Sequence, residues 1–194
     1  MRKLMIIRIV HTPLDMGSAK EGLVKDGISR MGRERWEENQ RRIEKFWDEV
    51  ESDVDSMGLD YEKTRVYQDG LPCAGAMGEK IIRDTADKGS RNYQIIKKLM
   101  DKGAKIEATE SPQLLMQEYS HIKAILDAGT ENEKAEAEAK YGRVRDRLML
   151  DRDAFIAGSI NSTLKDGETG ILFIGASHNV LPGIAGDIEA KVLD

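Results

Sequence analysis

Two short runs of nearly unbroken apolar residues constrain the fold of this chain more than any other feature: 4–10 (Leu-Met-Ile-Ile-Arg-Ile-Val) and 170–175 (Gly-Ile-Leu-Phe-Ile-Gly). Runs this short and this apolar belong to strands covered on both faces, the situation of central strands in a parallel sheet. Between them, apolar residues recur at helical spacing. The clearest case is 34–57, where Trp36, Ile43, Phe46, Trp47, Val50 and Val54 form one stripe, with Glu37/Arg41 and Glu38/Arg42 as charge pairs on the exposed face.

Residues 64–68 read as a second strand, ending in the turn-rich Asp69-Gly-Leu-Pro-Cys-Ala-Gly. Helices are expected at 77–88 and 90–102, with Gly103 at a C-cap and a short third strand over 104–108. Ser111-Pro112 supplies an N-cap and a first-turn proline for a helix reaching Leu126. The Ala/Glu/Lys tract 131–140 opens a charged helical segment over about 131–150, expected to continue through Arg152 and Asp153 to Leu164. Residues 17–32 read as a Gly-containing connection, and 187–193 as a strand at a sheet edge. Strands alternating with helices predict one α/β domain with a mainly parallel central sheet and helices on both faces. In it, 4–10 and 170–175 are parallel neighbours.

A net charge of −5, with Lys and Arg interleaved among acids, argues against a nucleic-acid partner, which needs clustered cations facing phosphates. No stretch approaches the roughly 20 apolar residues of a membrane span. Arg8 interrupts the opening apolar run and no small-residue cleavage site follows, so that run reads as a strand and not as a signal peptide. With a single Cys excluding an internal disulfide, these features predict a cytoplasmic protein with no membrane partner.

Open parallel sheets bind ligands beyond the carboxyl ends of their strands. Here those ends carry His11, Asp69, Glu107 with Glu110, and Gly175-Ala-Ser-His178. His11, His178, Asp69 and Glu110 are the candidate catalytic groups, and His11, His178 and Glu107 the candidate ligands of a divalent metal ion. Arg152, Gly175 and Ser177 are candidates for substrate binding, Arg152 because a guanidinium clamps carboxylate or phosphate bidentately. Any one of these residues alone reads as a cap or a loop hydrogen bond, and Arg152-Asp153 alone as an exposed ion pair. Recurrence at successive strand ends favours a site. His121, in mid-helix, reads as structural.

Three functions fit. The first is a hydrolase, metal-dependent or activating water directly, acting on a small-molecule or peptide substrate. The second is a non-catalytic domain that binds a small anion in the same pocket. The third is a thiol enzyme using Cys73, in a Gly-rich turn before a helix, with a histidine as base. The Trp36/Ile43/Trp47/Val50 stripe serves either a homo-oligomer interface or the chain's own core.

Arg152-Asp153-Ala-Phe-Ile-Ala, followed by Gly167-Glu-Thr-Gly-Ile-Leu-Phe-Ile-Gly-Ala-Ser-His178, resembles the closing half of the TraB/TIKI superfamily. That superfamily also includes erythromycin-esterase-like and haem-uptake ChaN-like proteins. Its pattern of an Arg-Asp pair before a strand ending in Gly-x-x-His is matched by Arg152, Asp153, Gly175 and His178. An earlier Gly-x-x-His is matched at His11 only, Arg8 standing where the glycine belongs, and the acid after the second strand falls at Asp69. The resemblance implies the α/β fold and, from characterised members, metal-dependent proteolysis.

Overall fold

Alternation along the first strand dictates two cores, one on each face of a sheet. In the computed structural model, which describes residues 1–15 and 20–193, β1 (Arg2–Ile9) buries Leu4 and Ile6 toward one face and Ile7 and Ile9 toward the other. Four further strands complete the sheet: β2 (Thr64–Gln68), β3 (Lys105–Ile106), β4 (Thr169–Gly175) and β5 (Ile188–Leu193). Their order is β3-β2-β4-β1-β5 and every pairing is parallel. The two apolar runs are thus adjacent at the centre, Leu4 opposite Gly170 and Ile9 opposite Gly175, while β5 lies at an edge.

One face packs Ile7, Ile9, Val66, Ile171 and Phe173 against α2 (Arg33–Ser56), α3 (Gly75–Asp87) and α4 (Arg91–Asp101). The other packs Leu4, Ile6, Tyr67, Leu172 and Ile174 against Ile156, Ile160 and Leu164 at the end of α7 (Arg145–Thr163). Each fully buried Leu or Ile contributes on the order of 1.5–3 kcal/mol, so both faces of the central strands are strongly specified. Most of the stripe on α2 is used within the chain. Trp47, Val50 and Val54 are buried, and Trp36 lies over Gly27 of α1 (Lys20–Met31) so closely that a Cβ there would stand 2.1 Å from its ring.

Three expectations are corrected. The connection before α2 contains a helix, α1, which Gly32 at φ 81° separates from α2; residues 16–19 of that expected segment lie outside the described part. The helix expected to run unbroken from the charged tract to Leu164 is two, α6 (Glu131–Gly142) and α7. The break occurs because α6 folds back on α5 (Pro112–Leu126), where Tyr141 donates to Glu118 at 2.6 Å, whereas α7 packs on the sheet. The third strand spans only Lys105–Ile106, since the chain beyond it turns to deliver Glu107 to Arg65 and Glu110 inward. Ser111 caps α5 as expected, accepting from the Leu114 N–H at 3.4 Å. Among the described residues, no helix is long and apolar enough to cross a membrane.

Candidate functional site

The strand order creates a crevice. The chain leaving β2 runs outward toward β3, whereas the chain leaving β4 crosses to β5 on the far side of β1, so the loops part at the carboxyl ends of β2 and β4. Asp69 sits there, one residue past β2, with its own N–H still bonded to the Phe173 carbonyl at 2.9 Å. Its Oδ2 accepts from the Gly175 N–H at 3.0 Å and lies 2.9 Å from His11 Nε2. Gly175 allows this approach, because a Cβ would stand 3.1 Å from both atoms.

Beyond Gly175 a tight turn, closed by the His178 N–H on the Gly175 carbonyl at 3.1 Å, swings His178 back over the strand ends. Its Nδ1 lies 2.5 Å from Asp153 Oδ1, and Asp153 Oδ2 accepts from the Asn179 N–H at 2.9 Å. A carboxylate only accepts, so His178 Nδ1 carries the proton and Nε2 is left facing Asp69 Oδ2 at 3.5 Å. The two atoms face each other across a gap that a cation could share.

Arg152 underlies this cluster. Its Nη2 donates to Asp69 Oδ1 at 2.7 Å, its Nε to Glu110 at 3.2 Å, and its Nη1 to Glu118. The resulting charges shape the titrations. Burial opposes ionisation of Asp69, yet the His11 hydrogen bond and the charges of His11, His178 and Arg152 hold it well below the usual carboxylate range. Burial also works against the His11 imidazolium, but the bond to Asp69 and its charge outweigh this and raise the pKa. Glu110 goes the other way, pushed up to about 7 by burial that Arg152 only partly offsets.

The cleft has a volume of about 300 Å³. His11, Asp69, Gly175, Ser177 and His178 form one side, and Ile9, Leu115, Ile122 and Met149 supply apolar surface. No protein-family model, curated protein or solved structure gives a significant match to this chain.

Of the residues singled out from sequence, His11, Asp69, Arg152, Gly175, Ser177 and His178 line this one cleft, with Glu110 fully buried beneath Arg152. Glu107 is not brought there: it pairs with Arg65, which also holds Glu168. Arg152 is placed differently from its expected role, since all three of its nitrogens already donate to carboxylates of the protein. Cys73 is half-buried and absent from the residues lining the cleft, and His121 stacks on Tyr141 with ring centroids 5.5 Å apart. Sequence reasoning missed Asp15, Tyr93 and Glu118. Asp15 follows His11 closely and accepts from the Thr12 N–H at 2.6 Å, a legible turn signal. Tyr93 and Glu118 look like ordinary members of helical stripes.

Asp69, Glu110 and His178 each present a ligand atom within 4.8 Å of the other two. Oxygen and imidazole donors of this kind suit a divalent first-row metal, and Asp153 on the far nitrogen of His178 is the usual support of a metal-binding histidine. The residues present therefore fit a metal, with Asp69, Glu110 and His178 where His11, His178 and Glu107 were expected; of that set only His178 belongs to the cluster.

Proposed function

We propose that this protein is a hydrolase that activates water between His11 and His178. What supports this most directly is a single atom, Asp69 Oδ2, shared by both imidazoles and the Gly175 N–H. Because Asp69 stays ionised, it accepts a hydrogen bond from the His11 Nε2–H and fixes that ring's tautomer, leaving Nδ1 to take a proton from water. A raised pKa makes His11 a stronger base than a free imidazole, able to take a proton from water and to hold it until the leaving group accepts it. His178, oriented by Asp153, polarises the other side of the reacting group. A divalent metal held by Asp69, Glu110 and His178 would supply Lewis acidity and a more acidic water.

The small-anion reading finds less support, because Arg152 is engaged by carboxylates and the cleft holds Asp15, Asp69 and Glu118. Resemblance to the TraB/TIKI superfamily adds peptides to the candidate substrates, alongside small esters and amides.

The test pairs metal analysis of the purified protein with hydrolysis of p-nitrophenyl esters and a peptide library by wild type, His11→Ala, His178→Ala and the double variant. Groups acting as a unit give strongly non-additive losses. Each single variant is expected to lose on the order of 10²-fold or more in kcat/KM, the double variant little more. Additive losses, or no hydrolysis by wild type with or without Zn²⁺, Mn²⁺ or Co²⁺, would sink the reading.

A further inference from the structure

With Arg152 engaged by three carboxylates, the charge that develops on a carbonyl oxygen under attack calls for a donor besides His178. We infer that the Tyr93 hydroxyl is that donor, binding the acyl oxygen of the substrate. The inference takes its reaction class from the hydrolase reading and its geometry from the cleft alone.

Tyr93 lies on α4, one turn from the Ser90 cap, which also holds Asp15. Its ring packs in the core with Ile95, Ile96 and Leu99, and the residue is 5% exposed, yet it lines the same cleft as His11, Asp69 and His178. The hydroxyl makes no hydrogen bond among the described residues. The Tyr93 Oη is not one of the enclosed polar atoms without a partner, so the hydroxyl meets the open space of the cleft and is not sealed in the core. A hydroxyl at the edge of a cleft with no acceptor from the protein is a position prepared for an acceptor from outside. It also remains a donor: burial and the nearby charges of Asp15 and Asp69 push its pKa far above the ordinary phenol range, so it stays neutral and protonated at any working pH.

In the step this implies, a water oxygen forms a bond to the acyl carbon and gives its proton to His11. The carbonyl π pair moves onto the oxygen, where Tyr93 Oη–H holds it. Collapse returns that pair, breaks the bond to the leaving group, and passes the proton from His11 to the departing atom. A preorganised neutral donor is well suited to this, since its dipole is already aimed where charge appears. Ser177 is the other hydroxyl lining the cleft, but it is exposed, and a donor competing with bulk water stabilises charge less.

The test uses a short-chain alkyl trifluoromethyl ketone, which mimics the tetrahedral oxyanion, with its dissociation constant read by fluorine NMR on wild type and Tyr93→Phe. Removing one such donor is expected to weaken binding roughly a hundredfold and to lower kcat for p-nitrophenyl butyrate by a similar factor, with KM within about threefold. Melting temperature should hold or rise, because the lost hydroxyl had no partner. As a check free of mutation, the ring carbon bearing the hydroxyl, labelled with ¹³C, should shift when the ketone is added to wild type. Equal binding by the two proteins, no binding by wild type, or an unmoved Tyr93 carbon overturns the inference. Tyr93-dependent binding in a protein that hydrolyses nothing keeps the acyl-oxygen site and sinks the hydrolase reading instead.

Discussion

At the residue scale the site depends on one missing methyl group. Gly175 has an ordinary negative φ, so alanine suffers no backbone penalty there. Its Cβ would nevertheless sit 3.1 Å from Asp69 Oδ2 and from His11 Nε2, tighter than van der Waals contact allows, and His11, being partly exposed, is the group free to give way. Gly175→Ala is therefore expected to part His11 from Asp69. The cost in stability should be about 1–2 kcal/mol, as for a modest overpacking, measured by urea unfolding. The larger effect should fall on His11, whose proton-NMR titration midpoint should drop toward the ordinary imidazole value of 6.5 as the raising influence of Asp69 is lost. A midpoint unchanged from wild type would show that the pair tolerates the extra methyl.

Between elements, the contrast lies between helices that bury apolar stripes and helices that do not. α2, α4 and α7 each carry fully buried residues, whereas α1, α5 and α6 carry none. Of these, α1 and α6 are joined by ion pairs, Lys134 to Asp26 at 2.7 Å and Arg30 to Glu138 at 3.2 Å, which contribute little when exposed to solvent. Helix α1 keeps its place largely through Gly27 against Trp36. Gly27→Ala puts a Cβ into the indole, but Trp36 is only half-buried and can swing aside. The expected outcome is a loss of about 1 kcal/mol together with a red-shifted tryptophan emission, since the indole moves into water. A loss above about 3 kcal/mol would mean that α1 is integral to the core.

For the whole molecule, the buried charges set a pH range of greatest stability. Glu110 holds its proton up to about 7 in the fold, against an ordinary value of 4.5, because burial disfavours its charge. That contribution is fully present below about 4.5 and is lost as pH rises through about 7. His11, with a raised pKa, has the same sign: its contribution is present below 6.5 and lost above. Asp69 has the opposite sign, its depressed pKa contributing stability above the usual carboxylate range that disappears on acidification. Stability should therefore be greatest in acid solution, near pH 4 to 5, and fall by on the order of 3 kcal/mol toward about pH 8 in chelator-treated buffer. Glu110→Gln should flatten most of that fall, leaving the shallower part due to His11. A wild-type urea midpoint that rises between pH 6 and pH 8 would contradict the assignment.

Much of the fold was legible in the sequence wherever burial leaves a one-dimensional trace. The runs that became β1 and β4 are apolar because both their faces are covered, and Ser111-Pro112 marks a helix start through local geometry alone. Such signals also located His11, Asp69 and His178, because a strand's carboxyl end can be read directly. Only the tertiary structure decided what these side chains meet. Inserting β4 between β2 and β1 brings the Gly175 N–H and His11 to the same oxygen of Asp69, and no spacing in the sequence encodes that. Packing of α7 across the sheet sends Arg152 into three carboxylates and gives Asp153 to His178, so a residue expected to hold substrate braces the site and its neighbour orients a histidine. Glu107 and Glu110 differ by three positions and by everything that surrounds them. The physical reason is the same in each case: hydrophobic periodicity is a property of a segment, whereas a charge's partner depends on which distant segments the sheet order places beside it.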